Sequence, residues 1–295
     1  MEDQKQYVEG LEAFFEASGE NESDVNGIIE QIPKYFPRLS KVKDAQENIR
    51  VLDVGSGNGA KSMLLAERVH DVYLTKPTVD FIEPTDEQRV GLFKRLIYMA
   101  QNGKRYDGAI YPTTFKDFEP KNGTKYDMVL FLHSLYQFPK NESGIIPGLE
   151  KVRDLLSEDG CGIVVLEDYE ADFQRMKREL YPKFGRTNFV NIYDVKRSFQ
   201  EAGLSVKQGD KIPVNFCFDK ILGFSALNDL DIGRYLSFLF STGLEEKDLT
   251  PEQYTEAGKW VRGNLKSNGI SKSYIDSTNA VLWVYNDELK GGEEK

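Results

Sequence analysis

Arg50-Val51-Leu52-Asp53-Val54-Gly55-Ser56-Gly57-Asn58-Gly59-Ala60 is the stretch on which the fold turns. A short apolar, β-branched run carries an acid at Asp53, three alternating glycines follow, and residues 61–69 then read as a helix. Strand, glycine turn and helix in that order is how an open parallel α/β sheet presents a nucleotide. Glycine is needed because such a turn uses φ > 0 and lets a ligand approach bare backbone.

Toward the carboxyl end the alternation continues. A second strand reads at 79–82 and ends at Glu83-Pro84; a helix over 85–101 and a short strand near 106–111 follow. A buried strand at 127–132 leads into His133-Ser134-Leu135-Tyr136. A helix over about 144–157, a turn at Glu158-Asp159-Gly160 and a strand at 161–166 complete this part. Repeated strand–helix units predict an α/β fold with a mostly parallel sheet flanked by helices. Beyond it come helices at 169–181 and 192–201, the latter stopped by Gly203, and β-like runs at 205–207 and 212–218. Helices near 228–241 and 251–264 and a last strand around 280–285 close the pattern.

Toward the amino end, Tyr7, Val8, Leu11, Phe14 and Phe15 recur at helical spacing, and a second helix reads from residue 24 to 32. These elements precede the first core strand, and residues 228–270 are too long for a simple connection, so both segments are read as a cover over the ligand site. The expected organisation is one domain over 1–295. Its core lies at about 45–208 with a final strand within 271–285, and its substrate lid comprises 1–44 and 209–270.

The 295 residues are 40% apolar, which sustains a sizeable core. The net charge of -10, with no long Lys/Arg run, argues against nucleic acid as a partner. No apolar run is long enough to span a bilayer. Met1–Gln6 is polar with no signal-peptide core, and two distant cysteines, Cys161 and Cys217, make neither a disulfide framework nor a zinc cluster. A cytoplasmic monomer without a metal is the expectation, with a small molecule as its partner.

The flanks of the turn separate two nucleotides. Gly55-x-Gly57-x-x-Ala60 loosely matches a dinucleotide fingerprint, but an acid at Asp53 is of no use to a pyrophosphate and suits a ligand bearing a sulfonium and an ammonium. Glu83 stands where open α/β sheets bind ribose hydroxyls, with two acceptor oxygens for a vicinal diol. The pattern of Asp53, Gly55, Gly57 and Gly59, with Glu83 ending the next strand, resembles the class I (Rossmann-like) S-adenosylmethionine-dependent methyltransferases.

The resemblance extends to the histamine N-methyltransferase family through Lys5-Gln6-Tyr7-Val8-Glu9, Glu83-Pro84-x-x-Glu87-Gln88, Ser134-Leu135-Tyr136 and Leu236-Ser237-Phe238-Leu239. It implies an enzyme that transfers a methyl group from S-adenosyl-L-methionine to a small amine or imidazole compound. Gly55, Glu83, Gln88, Thr114 and Leu132 would be cofactor contacts, Glu20 would receive the substrate amine, and Asn279, or Thr278 one residue away, would touch substrate. Phe173, Phe184, Val190 and Phe238 would wall the pocket, with Tyr136 beside it.

The chain also departs from that family. His133 replaces a glutamine, Tyr136-Gln137 replaces two tyrosines, and two pocket tryptophans are absent, with Phe173 and Met176 nearest. Acceptors other than histamine, such as an imidazole dipeptide or a hydroxyl, therefore stay open, as does a non-catalytic binding scaffold. His133 ends a strand at the ligand side, and an imidazole is the side chain suited to proton transfer near neutrality, so it is read as a pocket residue and candidate base. His70 is read as a helix C-terminal residue favoured by the helix dipole. Asp127 opens its strand on the far side and is given no chemistry.

Overall fold

The run that opens the sequence reading forms β1, Asn48–Val54, the centre of a mostly parallel sheet. The computed structural model describes residues 18–41, 48–104, 107–186, 189–218, 227–236, 249–267 and 274–286. The amino-terminal aromatic run, Phe238 and the segment 268–273 lie outside the described residues.

Along the chain come α1 (Glu20–Tyr35), α2 (Pro37–Lys41), β1, α3 (Ala60–Tyr73), β2 (Lys76–Ile82), α4 (Asp86–Gln101) and β3 (Ile110–Tyr111). β4 (Tyr126–Leu132), α5 (Lys151–Leu155), β5 (Leu156–Glu167), α6 (Asp172–Leu180), α7 (Ile192–Glu201) and β6 (Ser205–Gln208) follow. β7 (Ile212–Cys217), α8 (Asp229–Tyr235), α9 (Pro251–Asn264) and β8 (Tyr274–Tyr285) are the last. The sheet order is β3-β2-β1-β4-β5-β8-β6, with β7 also paired to β8. β1 to β5 run parallel, and β8 enters antiparallel to β5. The direction of winding reverses between β1 and β4, and the crevice at the strands' carboxyl ends there is where such sheets bind ligands.

Side-chain alternation divides the core. Val51, Met128, Leu130, Ile163, Val165, Val281 and Trp283 face α1 and α3, whereas Leu52, Val129, Phe131, Val164, Leu282 and Val284 face α5 and α7. A third cluster joins α6, β7, α8 and α9, with Phe173, Met176, Phe216 and Ile275 at its centre. Among the described residues no helix is long and apolar enough to cross a membrane.

Three differences from the sequence reading have local causes. Between 144 and 157 only Lys151–Leu155 is helical, because Gly144 (φ 74°) and Gly148 (φ 90°) take left-handed conformations. β5 starts before Glu158-Asp159-Gly160, which becomes an irregularity in the pairing of β4 with β5. Asp127 fixes that end of the sheet by accepting from Arg38 (3.0 Å), the Arg50 N–H (2.9 Å) and Ser157 (2.9 Å). Finally, residues 212–217, grouped above with the lid, belong to the sheet: β7 and β6 share one edge of the long β8 end to end.

α8 and α9 cross at glycines. A Cβ on Gly258 would run into the carbonyl of Asp229, and one on Gly233 into that of Tyr254. Gly258→Ala is therefore expected to destabilise this helix pair by about 1–3 kcal/mol, the usual cost of overpacking. Faster amide hydrogen exchange in α8 and α9 would register it, and unchanged protection would refute it.

Candidate active site

The turn after β1 uses its three glycines for different reasons. Gly55 (φ 68°), Gly57 (φ 55°) and Gly59 (φ 71°) are all left-handed. A Cβ on Gly55 would stand 2.6 Å from that of Ser134, so the β1 and β4 ends touch there. One on Gly59 would strike Leu92 of α4, so that glycine serves packing. Gly57 alone faces open space, bounded at 3.6 Å by Gln88 Oε1.

Glu83, buried at the end of β2, braces this loop. Its Oε2 accepts from the Gly57 N–H and its Oε1 from the Thr85 N–H, both at 2.8 Å. Ser134 Oγ is buried beside Gly55 with no hydrogen-bond partner among the described residues, a polar atom facing the same crevice floor. Leu132 ends β4, half-buried. Thr114 is exposed after β3, and its hydroxyl donates to Asp117 (2.7 Å) in a local turn. Glycine faces, a diol-accepting carboxylate and a free hydroxyl together fit a nucleoside ligand.

Asp53 lies just behind the turn. Burial pushes its carboxyl up to about 7, the Glu83 charge adds to this, and Ser62 and Lys61 oppose it.

A second, fully buried group adjoins the first. Glu20 and Asp24, one turn apart on α1, both accept from Lys61 of α3, Glu20 at 3.3 Å. Asn279 of β8 donates to Glu20 Oε1 (3.2 Å) and Asp24 Oδ1 (2.7 Å). His133 Nε2 stands 3.0 Å from Asp24 Oδ2, 3.4 Å from Glu20 Oε1 and 3.2 Å from Asn279 Nδ2. The amide spends both hydrogens on the carboxylates, so the proton between His133 and Asp24 belongs to Nε2. Nδ1 then carries the open lone pair, with no hydrogen bond among the described residues. Asn279 Oδ1 is buried without a hydrogen-bond partner among the described residues.

Burial alone would raise Asp24, but Lys61 and His133 outweigh it and hold the carboxyl down at about 2. Lys61 stays charged because the two acids outweigh its burial. Two carboxylates thus share one ammonium and one imidazole in a place that water hardly reaches.

His133 itself is strained. At φ 60° it occupies the left-handed region that a non-glycine residue adopts at a cost of about 1 kcal/mol or more. The strain turns its ring toward α1 from the end of β4, where its N–H still bonds to Val165 (2.9 Å). His70, by contrast, closes α3 through a 2.6 Å contact of Nδ1 with the Thr75 carbonyl.

The sequence-predicted residues are thus gathered unevenly. Glu20, His133 and Asn279 meet, and Asn279 rather than Thr278 makes the contact. Tyr136 lies next to them, its ring centroid 6.1 Å from that of His133. Phe173 is buried against Phe216 in the third cluster, with Phe184 at that cluster's margin, and Val190 belongs to the α5–α7 side. Trp283 stacks on Tyr35 inside the first core, and Trp260 donates to Glu179 on the surface of α9. Asp24 and Lys61 were not singled out in the sequence. Asp24-Ile28-Ile32 and Lys61-Leu65-Val69 each place a charge on an apolar helical stripe, and that mismatch was their signal.

The buried acids set a pH dependence. Burial pushes Glu167 up to about 7, as it does Asp53, although Lys177 pulls it down. Unfolded carboxylates titrate near ~4, so between about pH 4 and 7 the folded chain holds more protons and loses stability as pH rises. Asp24 acts oppositely, but its contribution is lost only as pH falls from ~4 through ~2. The thermal midpoint of the cofactor-free protein is expected to fall from about pH 5 to 8, less so in Asp53→Asn. A midpoint that rises over this range would refute the buried-acid account.

Comparison with known proteins extends these observations. The family model described as a methyltransferase domain matches residues 26–208, more than half of the chain. The YcgJ protein of Bacillus subtilis is similar in fold, at 13% identity, TM-score 0.50, and coverage of 85% of this chain and 97% of that one. A methyltransferase structure from Bacillus halodurans C-125, itself described as putative, matches with the same identity, coverage and TM-score. No curated protein sequence matches the chain. The family match spans α1 to β6, including the glycine turn and Glu83; the chain belongs to the methyltransferase-domain family, with the class I α/β fold and S-adenosyl-L-methionine as its cofactor.

Proposed function

We propose that the chain is an N-methyltransferase for a small amine or imidazole compound, with Glu20, Asp24, Asn279 and His133 as the acceptor seat. The observation that carries this reading is the pair of buried carboxylates sharing one ammonium, beside an Asn279 Oδ1 with no partner among the described residues. A cationic or N–H-bearing acceptor supplies what both lack: a compensating charge and a donor. The comparisons reach the methyltransferase domain and leave the acceptor open, so the reading rests on this cluster and on the resemblance to the histamine enzymes.

Residues 55–59, Glu83, Gln88, Ser134 and Leu132 would hold the cofactor, which when bound supplies an electrophilic methyl on a sulfonium. In-line transfer then requires a neutral nitrogen held at about 3 Å and in line. Glu20 and Asp24 orient that nitrogen by accepting its hydrogens, and Asn279 Oδ1 accepts one more. Asp24, held near 2, is too weak a base to deprotonate it. His133 Nδ1 is the proton acceptor of the cluster. Since the seat is buried, admission requires α1 or the late helices to part from the sheet. Tyr136, Phe173, Phe184, Val190 and Phe238 are proposed to shape the pocket around it, within a single domain.

The test is incubation with S-adenosylmethionine and a panel of amines, imidazoles and alcohols, with products read by mass spectrometry. N-methylated product is expected. Methylation confined to hydroxyls, or cofactor binding with no product at all, would overturn the acceptor assignment.

A further inference from the structure

Next to the acceptor seat lies a second buried polar group that the methyl transfer does not use. Lys177 of α6 is almost inaccessible to solvent, at 6% exposure, yet makes no hydrogen bond among the described residues. Its ammonium stands 3.9 Å from Glu167 Oε2 and 4.7 Å from the ring centre of Tyr136. Gln174, on the preceding turn of α6 and fully buried, has neither its amide nitrogen nor its oxygen in a hydrogen bond. Tyr136 Oη accepts from the Glu167 N–H at 2.6 Å, so the hydroxyl proton has no acceptor among the described residues. Burial and the Glu167 charge push this hydroxyl up, keeping it protonated.

Three donors of different kinds are therefore buried together without a hydrogen-bond acceptor among the described residues. Leaving such bonds unmade is costly, most of all for an ammonium held only by a 3.9 Å ion pair with Glu167. Glu167 satisfies them only in part: its Oε1 accepts from Ser277 at 3.4 Å, and its Oε2 pairs with Lys177 at 3.9 Å, too long for a hydrogen bond. The group is also placed to share one ligand with the acceptor seat. Glu167 pairs directly with Asn279 across β5 and β8, and Tyr136 lies between His133 and Lys177.

We propose that Lys177, Gln174 and Tyr136 form an anion subsite for the same acceptor, which is therefore a zwitterion. Its nitrogen end sits on Glu20, Asp24 and Asn279, and a carboxylate reaches Lys177. The substrate class is an amino acid or a short peptide acid bearing an amine or imidazole, in place of a simple amine. This rests on the N-methyltransferase reading above.

Histamine, L-histidine and β-alanyl-L-histidine are compared as acceptors with wild type, Lys177→Met and Lys177→Arg. Binding of each to the protein loaded with S-adenosylhomocysteine is measured by calorimetry alongside. One of the carboxylated acceptors is expected to exceed histamine in kcat/KM by at least about tenfold. In Lys177→Met that ratio is expected to fall about 10- to 100-fold, through KM, while Lys177→Arg retains most of it. A purely structural Lys177 would lower the melting temperature and leave the ratio unchanged. The proposal is overturned if wild type binds and uses histamine as well as either acid, if Lys177→Met leaves the ratio intact, or if neither acid binds. Absence of N-methyl product from all three, with an acid still bound through Lys177, would instead overturn the N-methyltransferase reading.

Discussion

Glu83→Ala is expected to weaken S-adenosylmethionine binding on the order of 100-fold, with the fold retained. The carboxylate does two things at once. It presents acceptor oxygens at the end of β2, and it holds the Gly57 and Thr85 N–H groups, so the turn keeps its shape. Each charge-assisted bond of this kind is worth roughly 1.5–3 kcal/mol, and alanine removes them while leaving two amides to find water. Glu83→Gln keeps one acceptor oxygen and should fall between alanine and wild type. Calorimetric titration with the cofactor decides the matter. An affinity of Glu83→Ala within threefold of wild type would mean that Glu83 merely shapes a loop.

Glu20→Gln should do the reverse. It is nearly isosteric, and its amide oxygen still accepts from Asn279 or Lys61. It removes one of the cluster's two carboxylate charges, which weakens its hold on a cation. Cofactor affinity is expected to stay within a few-fold of wild type, and kcat/KM for the acceptor to drop by about 100-fold, the scale of a lost charged hydrogen bond. Asp24→Asn is a poorer probe. Asp24 is the closer partner of Lys61, and stripping one side of a buried ion pair costs roughly 3–5 kcal/mol of stability. Unimpaired turnover in Glu20→Gln would remove the acceptor seat from this cluster.

The two halves of the site were unequally legible in the sequence. Asp53, Gly55, Gly57, Gly59 and Glu83 could be read because their geometry is local: a strand, a turn, and the end of the next strand. Strand positions followed for the same reason, since a fully buried parallel strand is an apolar run bounded by turns. Helix extents failed where single glycines decided them, as at Gly144 and Gly148. The acceptor half was only partly visible. Glu20 and Asn279 entered through resemblance, and no periodicity places a residue of α1 against one of β8. Asp24, Lys61 and Lys177 carried a readable anomaly, a charge on an apolar stripe. Its meaning depends on partners up to 255 residues away, as for Asp24 and Asn279.

That separation along the chain also bears on how the molecule is made. β8 follows the other described strands along the chain, and it enters between β5 and the β6–β7 edge, so the sheet is not continuous until it docks. Until then Asn279 is absent, and Glu20 and Asp24 have only Lys61 and His133. Long-range closures of this kind come late, because loop entropy must be overcome before the contacts reward it. The cofactor loop is complete in sequence well before that, once the end of β4 is in place. On the proposed function, capture of the donor is thus a property of the early chain, and choice of the acceptor waits for β8.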